Sequence, residues 1–307
     1  MGISLALATV ACSGWAILII LNVIRFFRHR AAIVEDFQDP ARAFGFFTWV
    51  AATCVLGSRL AVAEHLKWAL ALLLAGSAIW LILGYAIPWT AVLGQAVRPV
   101  MQTANGTWFI WVVASQSIAV LAATLEVEFA DYRRELAVLA VFSWSVGIFL
   151  YAAAGVFVGA RMLLFDLKPA DLTPPYWVAM GATAITVVGG ARIVHMADAP
   201  MVDATRGLIA GASVFFWAFG TWLIPPLIAA GYWRHVRHGV PVRYEATWWS
   251  IVFPLGMYGV GSSFLGEADR LPILVTVGSV QFWIALAAWC IVATAMTSHV
   301  YRTVIRG

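Results

Sequence analysis

Long apolar stretches alternate with short polar connections along the whole chain. A membrane-spanning helix needs about 20 mostly apolar residues, and nine stretches reach that length. They lie at residues 3–25, 43–63, 68–89, 105–125, 136–160, 175–196, 207–232, 246–265 and 274–298. The connections carry no low-complexity segment. The pattern therefore predicts an all-α polytopic membrane protein in which residues 1–307 form a single transmembrane domain.

The nine predicted spans are of two kinds. The even-numbered spans carry small and polar residues, whereas the odd-numbered spans are richer in Leu, Ile and Trp. Each even span follows a proline, a residue favoured at helix starts; these are Pro40, Pro99, the pair Pro174 and Pro175, and Pro241. The simplest arrangement places the even spans inside, facing one another or water, and the odd spans outside against lipid.

A weak internal repeat agrees with this arrangement. Five residues of the second span recur 133 positions later in the sixth span, although five matches in so biased a composition also fit chance. The pairs are Ala51 and Ala184, Thr53 and Thr186, Val55 and Val188, Gly57 and Gly190, and Arg59 and Arg192. The repeating unit is then a helical hairpin, an even span followed by an odd span. The chain contains four such hairpins, and its first span has no inner partner.

Composition supports a membrane protein and excludes a nucleic-acid-binding one. Hydrophobic residues make up 63% of the chain and charged residues 11%, and the mean hydropathy is +0.88. The net charge of +4 comes from basic residues in the connections, as the positive-inside rule leads one to expect. Twelve Lys and Arg residues lie on the side of the C-terminus and seven on the other. The C-terminus is therefore predicted to be cytoplasmic and the N-terminus outside, in the cytoplasmic (inner) membrane.

Catalytic and cofactor-binding motifs are absent from the sequence. There is no HExxH, P-loop or GxSxG motif, and Cys12, Cys54 and Cys290 lie far apart without metal-ligand spacing. We therefore predict neither an enzyme nor a bound cofactor or metal. The alternative is an intramembrane enzyme, or a redox or assembly subunit without a pore. The nearest polar pair for catalysis, Gln116 with Thr107, contains no acid or base.

The stretch from Ala246 to Leu265 places the bulky ring of Phe253 next to Pro254. A proline inside a helix removes a hydrogen-bond donor and bends the helix. Glycines and serines follow, including Gly256, so one large ring stands on an otherwise slender helix. Phe253 and Pro254 thus suit the gate of a narrow pore. A kinked packing helix whose small residues let its neighbours approach closely fits the same residues.

The predicted wall of the pore consists of small and polar residues of the even spans. These are Thr53, Gly57, Thr107, Gln116, Gly181, Thr186 and Gly256. Arg59 and Arg192 lie near the outer ends of two of these spans, where an arginine either faces a water-filled cavity and raises the local anion concentration or snorkels to the lipid headgroups. The N-termini of the inner spans, which are the positive ends of helices, point at the cytoplasmic mouth and also favour anions.

Four segments resemble the tellurite-resistance/C4-dicarboxylate transporter family, which includes bacterial tellurite-resistance permeases, fungal sulfite and malate transporters, and plant slow anion channels. They are FGFFTWVAATCVLGSRL (44–60), NGTWFIWVVASQSIAVLA (105–122), TPPYWVAMGATAI (173–185) and WWSIVFPLGMY (248–258). The resemblance implies five hairpins around a quasi-fivefold pore, a homotrimer in membrane lipid, and a phenylalanine that plugs the pore, at Phe253 here. It also implies a small inorganic or organic anion as substrate, with chloride, nitrate, sulfite, C4-dicarboxylates and tellurite all open.

The front of the chain departs from the family pattern. Family members begin with a proline-led inner helix, whereas this chain opens with an outer-type span. Either the natural chain begins further upstream, or this member lacks one fifth of its pore wall. We expect the first, because an unpaired gap would expose small and polar inner faces to lipid.

Overall fold

The computed structural model describes residues 2–94, 98–197 and 199–306. Each of the nine predicted spans is a helix, and a tenth, short helix follows the first. The bounds are α1 (Gly2–Arg28), α2 (Arg30–Gln38), α3 (Thr48–Val62), α4 (Leu66–Leu93), α5 (Phe109–Glu126), α6 (Arg133–Leu164), α7 (Val178–Ile193), α8 (Pro200–Tyr232), α9 (Trp249–Ala268) and α10 (Pro272–Val300). The described residues contain no strand, which confirms the all-α prediction.

The helices pack as four sequential hairpins. α3 packs on α4, α5 on α6, α7 on α8 and α9 on α10. The first helix of each pair, hereafter an inner helix, also contacts its counterpart in the next pair, in the order α3, α5, α7, α9. The described residues of α3 and α9 make no comparably extensive contact. The inner helices therefore form an open series, and α1 packs beside its first member, α3.

Burial separates the inner helices from the outer ones. Fifteen of the 18 residues of α5 and 14 of the 16 residues of α7 are buried. By contrast, α10 buries only one stripe, Leu274, Gly278, Ala285 and Val292, whose spacing of four and seven residues keeps them on one helix face. Many of its other apolar side chains, among them Ile273, Trp283 and Ile291, are exposed, as suits contact with lipid.

Seven helices within the described residues are long and apolar enough to cross a membrane by length and composition. The other two predicted spans, α7 and α9, owe their lower hydropathy to glycine, serine and threonine. Both pack against long apolar helices, α7 against α8 and α9 against α10. A helix enclosed by protein meets little lipid, so it does not need a uniformly apolar surface.

A short 3-10 turn, hereafter a lead-in turn, comes directly before each inner helix. The four lead-in turns are Ala43–Phe47, Gly106–Trp108, Pro174–Trp177 and Ala246–Trp248. They contact one another in the same order as their helices. All four inner helices therefore begin at one end of the bundle, and their positive N-terminal ends point the same way.

Two buried arginines hold the connections ahead of these turns. Arg161 of α6 donates from Nε to the Gln102 carbonyl at 2.7 Å and from Nη1 to the Asp166 carbonyl at 2.9 Å. Arg234 donates to the Ala170 carbonyl at 2.9 Å. Backbone carbonyl oxygens at this end thus accept hydrogen bonds from two arginines on the side of the bundle that is predicted to be cytoplasmic.

Candidate functional site

α9 carries the predicted gate residues, and the two have different surroundings. Pro254 is buried, and a Cβ added at Gly181 of α7 would lie 2.8 Å from its Cγ. The proline ring therefore fills the space that a side chain at position 181 would need. Phe253 is only half-buried, and it packs against an apolar cluster shared by the inner helices.

This cluster, hereafter the inner-helix cluster, draws side chains from all four inner helices and also from the outer helices α6 and α8. Its members there include Ala51 of α3, Phe109, Val112, Val113 and Val120 of α5, Val178, Ala179, Ala182, Ile185 and Val188 of α7, and Phe253, Met257 and Phe264 of α9. The α9 members are four and 11 residues beyond Phe253, so all three lie on one face of that helix. Phe253 thus stands on the face of α9 that meets the other inner helices.

Gly256 lies on nearly the same face, three residues after Phe253. A Cβ added there would meet no atom within 4 Å, so this part of α9 borders open space. The other small residues of α9 are used in packing: Gly261 lies against the Ala184 carbonyl of α7, and Ser262 accepts a hydrogen bond from Trp217 of α8 at 3.0 Å. The slender side of α9 is therefore occupied by neighbouring helices, with Gly256 as the exception.

Several residues predicted to line the pore make contacts between helices. Thr53 accepts a hydrogen bond from Trp15 of α1 at 3.3 Å, and a Cβ added at Gly57 would lie 2.6 Å from Leu121 of α5. Gly181, as described above, accommodates Pro254. These three positions lie at close contacts between helices, where small residues allow neighbouring helices to approach. Their assignment to the wall of a pore stays a prediction.

Gln116 and Thr186 belong to a polar network between α5, α6 and α7. Gln116 is fully buried and donates to the Trp144 carbonyl at 3.1 Å. The Trp144 indole in turn donates to the Thr186 carbonyl at 2.9 Å, and the Thr186 hydroxyl donates to the Ala182 carbonyl at 2.7 Å. These contacts join three helices, and the assignment of both residues to the wall of a pore stays a prediction. The Gln116 amide nitrogen and the Thr186 hydroxyl thus have partners, as buried polar groups usually do, whereas Gln116 Oε1 is buried without one.

Thr107 lies in the second lead-in turn. Its hydroxyl donates to the Ala41 carbonyl at 3.3 Å, and its backbone N–H donates to the Asn105 side chain at 2.8 Å. Stacked aromatic rings brace this end of the bundle: the ring centroids of Phe44 and Trp108 are 4.7 Å apart. Thr107 is thus a rim residue of the lead-in end, half-buried among backbone contacts.

Arg59 and Arg192 occupy equivalent positions in the sequence repeat but not in the structure. Arg59 donates to the Ser4 hydroxyl of α1 at 3.3 Å. Arg192 instead lies over the ring of Phe264, with its Cζ 4.7 Å from the ring centroid. Among the described residues, no hydrogen bond or ion pair engages the Arg192 side chain.

A cavity of about 310 Å³ lies beside Arg192, where α5, α7 and α9 end. Its walls include Glu126, His195, Phe264 and Glu267, none of which the sequence pattern singled out. Glu126 pairs with Arg133 at 2.9 Å. Arg192, which also lines the cavity, is the residue by which the sequence pattern pointed to this site.

The architecture is that of a polytopic helical membrane protein with an inner layer of four hairpin helices. The chain belongs to the voltage-dependent anion channel family (SLAC1), whose model matches residues 1–297. This finding confirms the resemblance to the tellurite-resistance/C4-dicarboxylate transporter family. The family consists of channels and transporters rather than enzymes.

Three relatives illustrate the range of similarity. An uncharacterized membrane protein of Mycobacterium tuberculosis is 64% identical over 159 residues, which cover 52% of this chain and 81% of that protein. An uncharacterized transporter of Methanocaldococcus jannaschii is 22% identical over 284 residues, 91% of this chain and 79% of that protein. A second uncharacterized transporter of the same organism is 20% identical over 289 residues, 93% of this chain and 82% of that protein.

Proposed function

We propose that this protein moves small anions across the cytoplasmic membrane of a bacterium, along a path beside its inner helices that Phe253 closes. The observation that carries the proposal is the position of Phe253. Its half-buried ring joins a cluster to which every inner helix contributes, next to the buried Pro254 and the open space at Gly256. A large apolar ring in such a position is suited to closing a narrow path by excluding water.

Selectivity in this proposal comes from path width and electrostatics rather than from a tight ligand cage. The positive ends of four inner helices meet at the lead-in end, which we assign to the cytoplasm together with the C-terminus. Arg59 and Arg192 supply positive charge near the opposite ends of α3 and α7. Both features favour anions over cations. We further propose a homotrimer of this single transmembrane domain, by analogy with the family.

An anion-flux assay tests the proposal and narrows the substrate. Purified protein in liposomes is expected to pass some members of a panel of chloride, nitrate, sulfite, malate and tellurite faster than protein-free liposomes do. Potassium and sodium serve as the cation comparison. Equal anion leak with and without the protein, at verified insertion, would refute the proposed function.

Neutralising both arginines is expected to lower the preference for anions over cations. In the double variant Arg59→Gln/Arg192→Gln, two positive charges that attract anions are lost, so the reversal potential in a salt gradient shifts toward that of the cation. Lys67→Gln, which removes one exposed charge from the start of α4, is the control and leaves the reversal potential unchanged. A double variant with an unchanged reversal potential means that the arginines only reach the lipid headgroups.

A further inference from the structure

The cavity beside Arg192 is built entirely by the ends of inner helices. Its wall consists of residues from α5, α7 and α9 and the residues that directly follow α5 and α7. No outer helix contributes to that wall among the described residues. The cavity therefore lies at the end of the inner layer opposite the lead-in turns, where a path along these helices would open, rather than on the lipid-facing surface.

The Arg192 side chain on the cavity wall makes no hydrogen bond or ion pair within the described residues. A guanidinium has five N–H donors, and none of them meets an acceptor among the described residues. Phe264 covers one face of the group at 4.7 Å, and Nε is sealed from solvent without a partner. The terminal Nη end of the guanidinium is thus the part that is left for a ligand. A ligand there would offset the cost of an unpaired charge that is partly withdrawn from water.

The electrostatic potential in the cavity does not by itself favour an anion. Glu126 and Glu267 lie on its wall, and the negative C-terminal ends of three helices point toward it. Glu126 is already paired with Arg133. An anion therefore stays here only if it bonds directly to the guanidinium, because general attraction is too weak.

We propose that this cavity binds one small oxyanion from solution, with at least two oxygen acceptors, through the Nη end of Arg192. The planar guanidinium fork matches two oxygens at once, as in carboxylate or nitrate, whereas a spherical halide meets fewer of its donors. Phe264 holds the plane of the fork by a cation–π contact. The inference rests on the proposed anion path, because it names the site that an ion occupies at the outer mouth before reaching Phe253.

Binding in detergent solution tests the site without requiring transport. Sodium nitrate or sodium formate is titrated into the purified protein by calorimetry, with sodium chloride replaced so that total salt stays constant. The wild type is expected to bind both oxyanions saturably. Arg192→Gln is expected to weaken binding at least about tenfold, since it removes a charge-assisted hydrogen-bonding group, and Arg192→Lys to weaken it less.

Two further variants keep the result interpretable. Phe264→Leu leaves the guanidinium in place but removes its stacking partner, so it is expected to weaken binding about threefold. Lys67→Gln removes an exposed positive charge that does not line the cavity and is expected to leave the affinity unchanged. Melting temperatures within a few degrees of the wild type confirm that each variant is folded.

Three results would overturn the inference: nitrate and formate fail to saturate, Arg192→Gln binds them like the wild type, or only phosphatidylglycerol, and not the free ions, binds in an Arg192-dependent way. The last result would make the cavity a lipid headgroup site. Failure here is separable from failure of the proposed function. One combination of results separates the two: anion flux persists, Phe253→Ala increases it, and Arg192→Gln leaves oxyanion binding intact. That combination would refute the assignment of the cavity as an oxyanion site and leave the proposed function standing.

Discussion

Replacing Phe253 with alanine is expected to raise anion conductance by about tenfold or more. The substitution removes the large ring next to Pro254 and near the open space at Gly256, and it leaves room for water and an ion. An apolar constriction closes a pore by dewetting, and each reduction of the barrier by about 1.4 kcal/mol raises the rate about tenfold. Single-channel or ensemble currents in planar bilayers measure the effect.

The matched control is Phe215→Ala on α8. Phe215 is 75% exposed on an outer helix, so the same loss of a ring is expected to leave the conductance at the wild-type level. An equal conductance for Phe253→Ala and the wild type, with the variant folded and inserted, contradicts the gate. An increase in both variants would point to general loosening of the bundle instead.

Replacing Gly106 with alanine is expected to destabilise the bundle more than any other glycine-to-alanine change at the lead-in end. A Cβ at this position would overlap the backbone carbonyl of Pro175 and the amide nitrogen of Tyr176. Backbone atoms cannot rotate away as a flexible side chain can, so two lead-in turns must separate. Overpacking costs about 1–3 kcal/mol, and more where the backbone has to move. The melting temperature and the yield of folded protein in detergent report the loss.

Gly45→Ala provides the comparison at the same structural level. Gly45 lies in the first lead-in turn, and an added Cβ there would meet nothing within 4 Å, so its melting temperature is expected to stay near that of the wild type. Comparable losses in both variants would mean that the close approach of Gly106 to Pro175 is not what limits stability. The contrast therefore tests the packing of the lead-in turns separately from the loss of backbone freedom.

The positions of the helices were predictable because they depend on local chemistry. Each apolar run of about 20 residues became a helix, since a chain in lipid must satisfy its own backbone hydrogen bonds. The prolines ahead of the even spans marked where inner helices begin, although the 3-10 form of those turns was not foreseen. Family membership was likewise visible in short segments such as 248–258.

The packing partners of individual small and polar residues were less predictable. Thr53, Gly57 and Gln116 have Trp15, Leu121 and the Trp144 carbonyl as partners, and no sequence pattern identified these contacts. The sequence shows that a residue is small or polar. Which neighbouring helix faces that residue depends on the rotation of each helix about its axis. That rotation is decided by packing over the whole interface.

Residue order alone thus determined the membrane class, the helix positions, the division into inner and outer spans and the family. Tertiary packing alone decided that Arg59 meets α1 while Arg192, its partner in the repeat, stacks on Phe264 beside a cavity. The hydrophobicity of a segment depends on residues that are neighbours in the sequence, so it can be recognised without the structure. The surroundings of a side chain are created only when distant segments meet, so equivalent residues in a repeat acquire different roles.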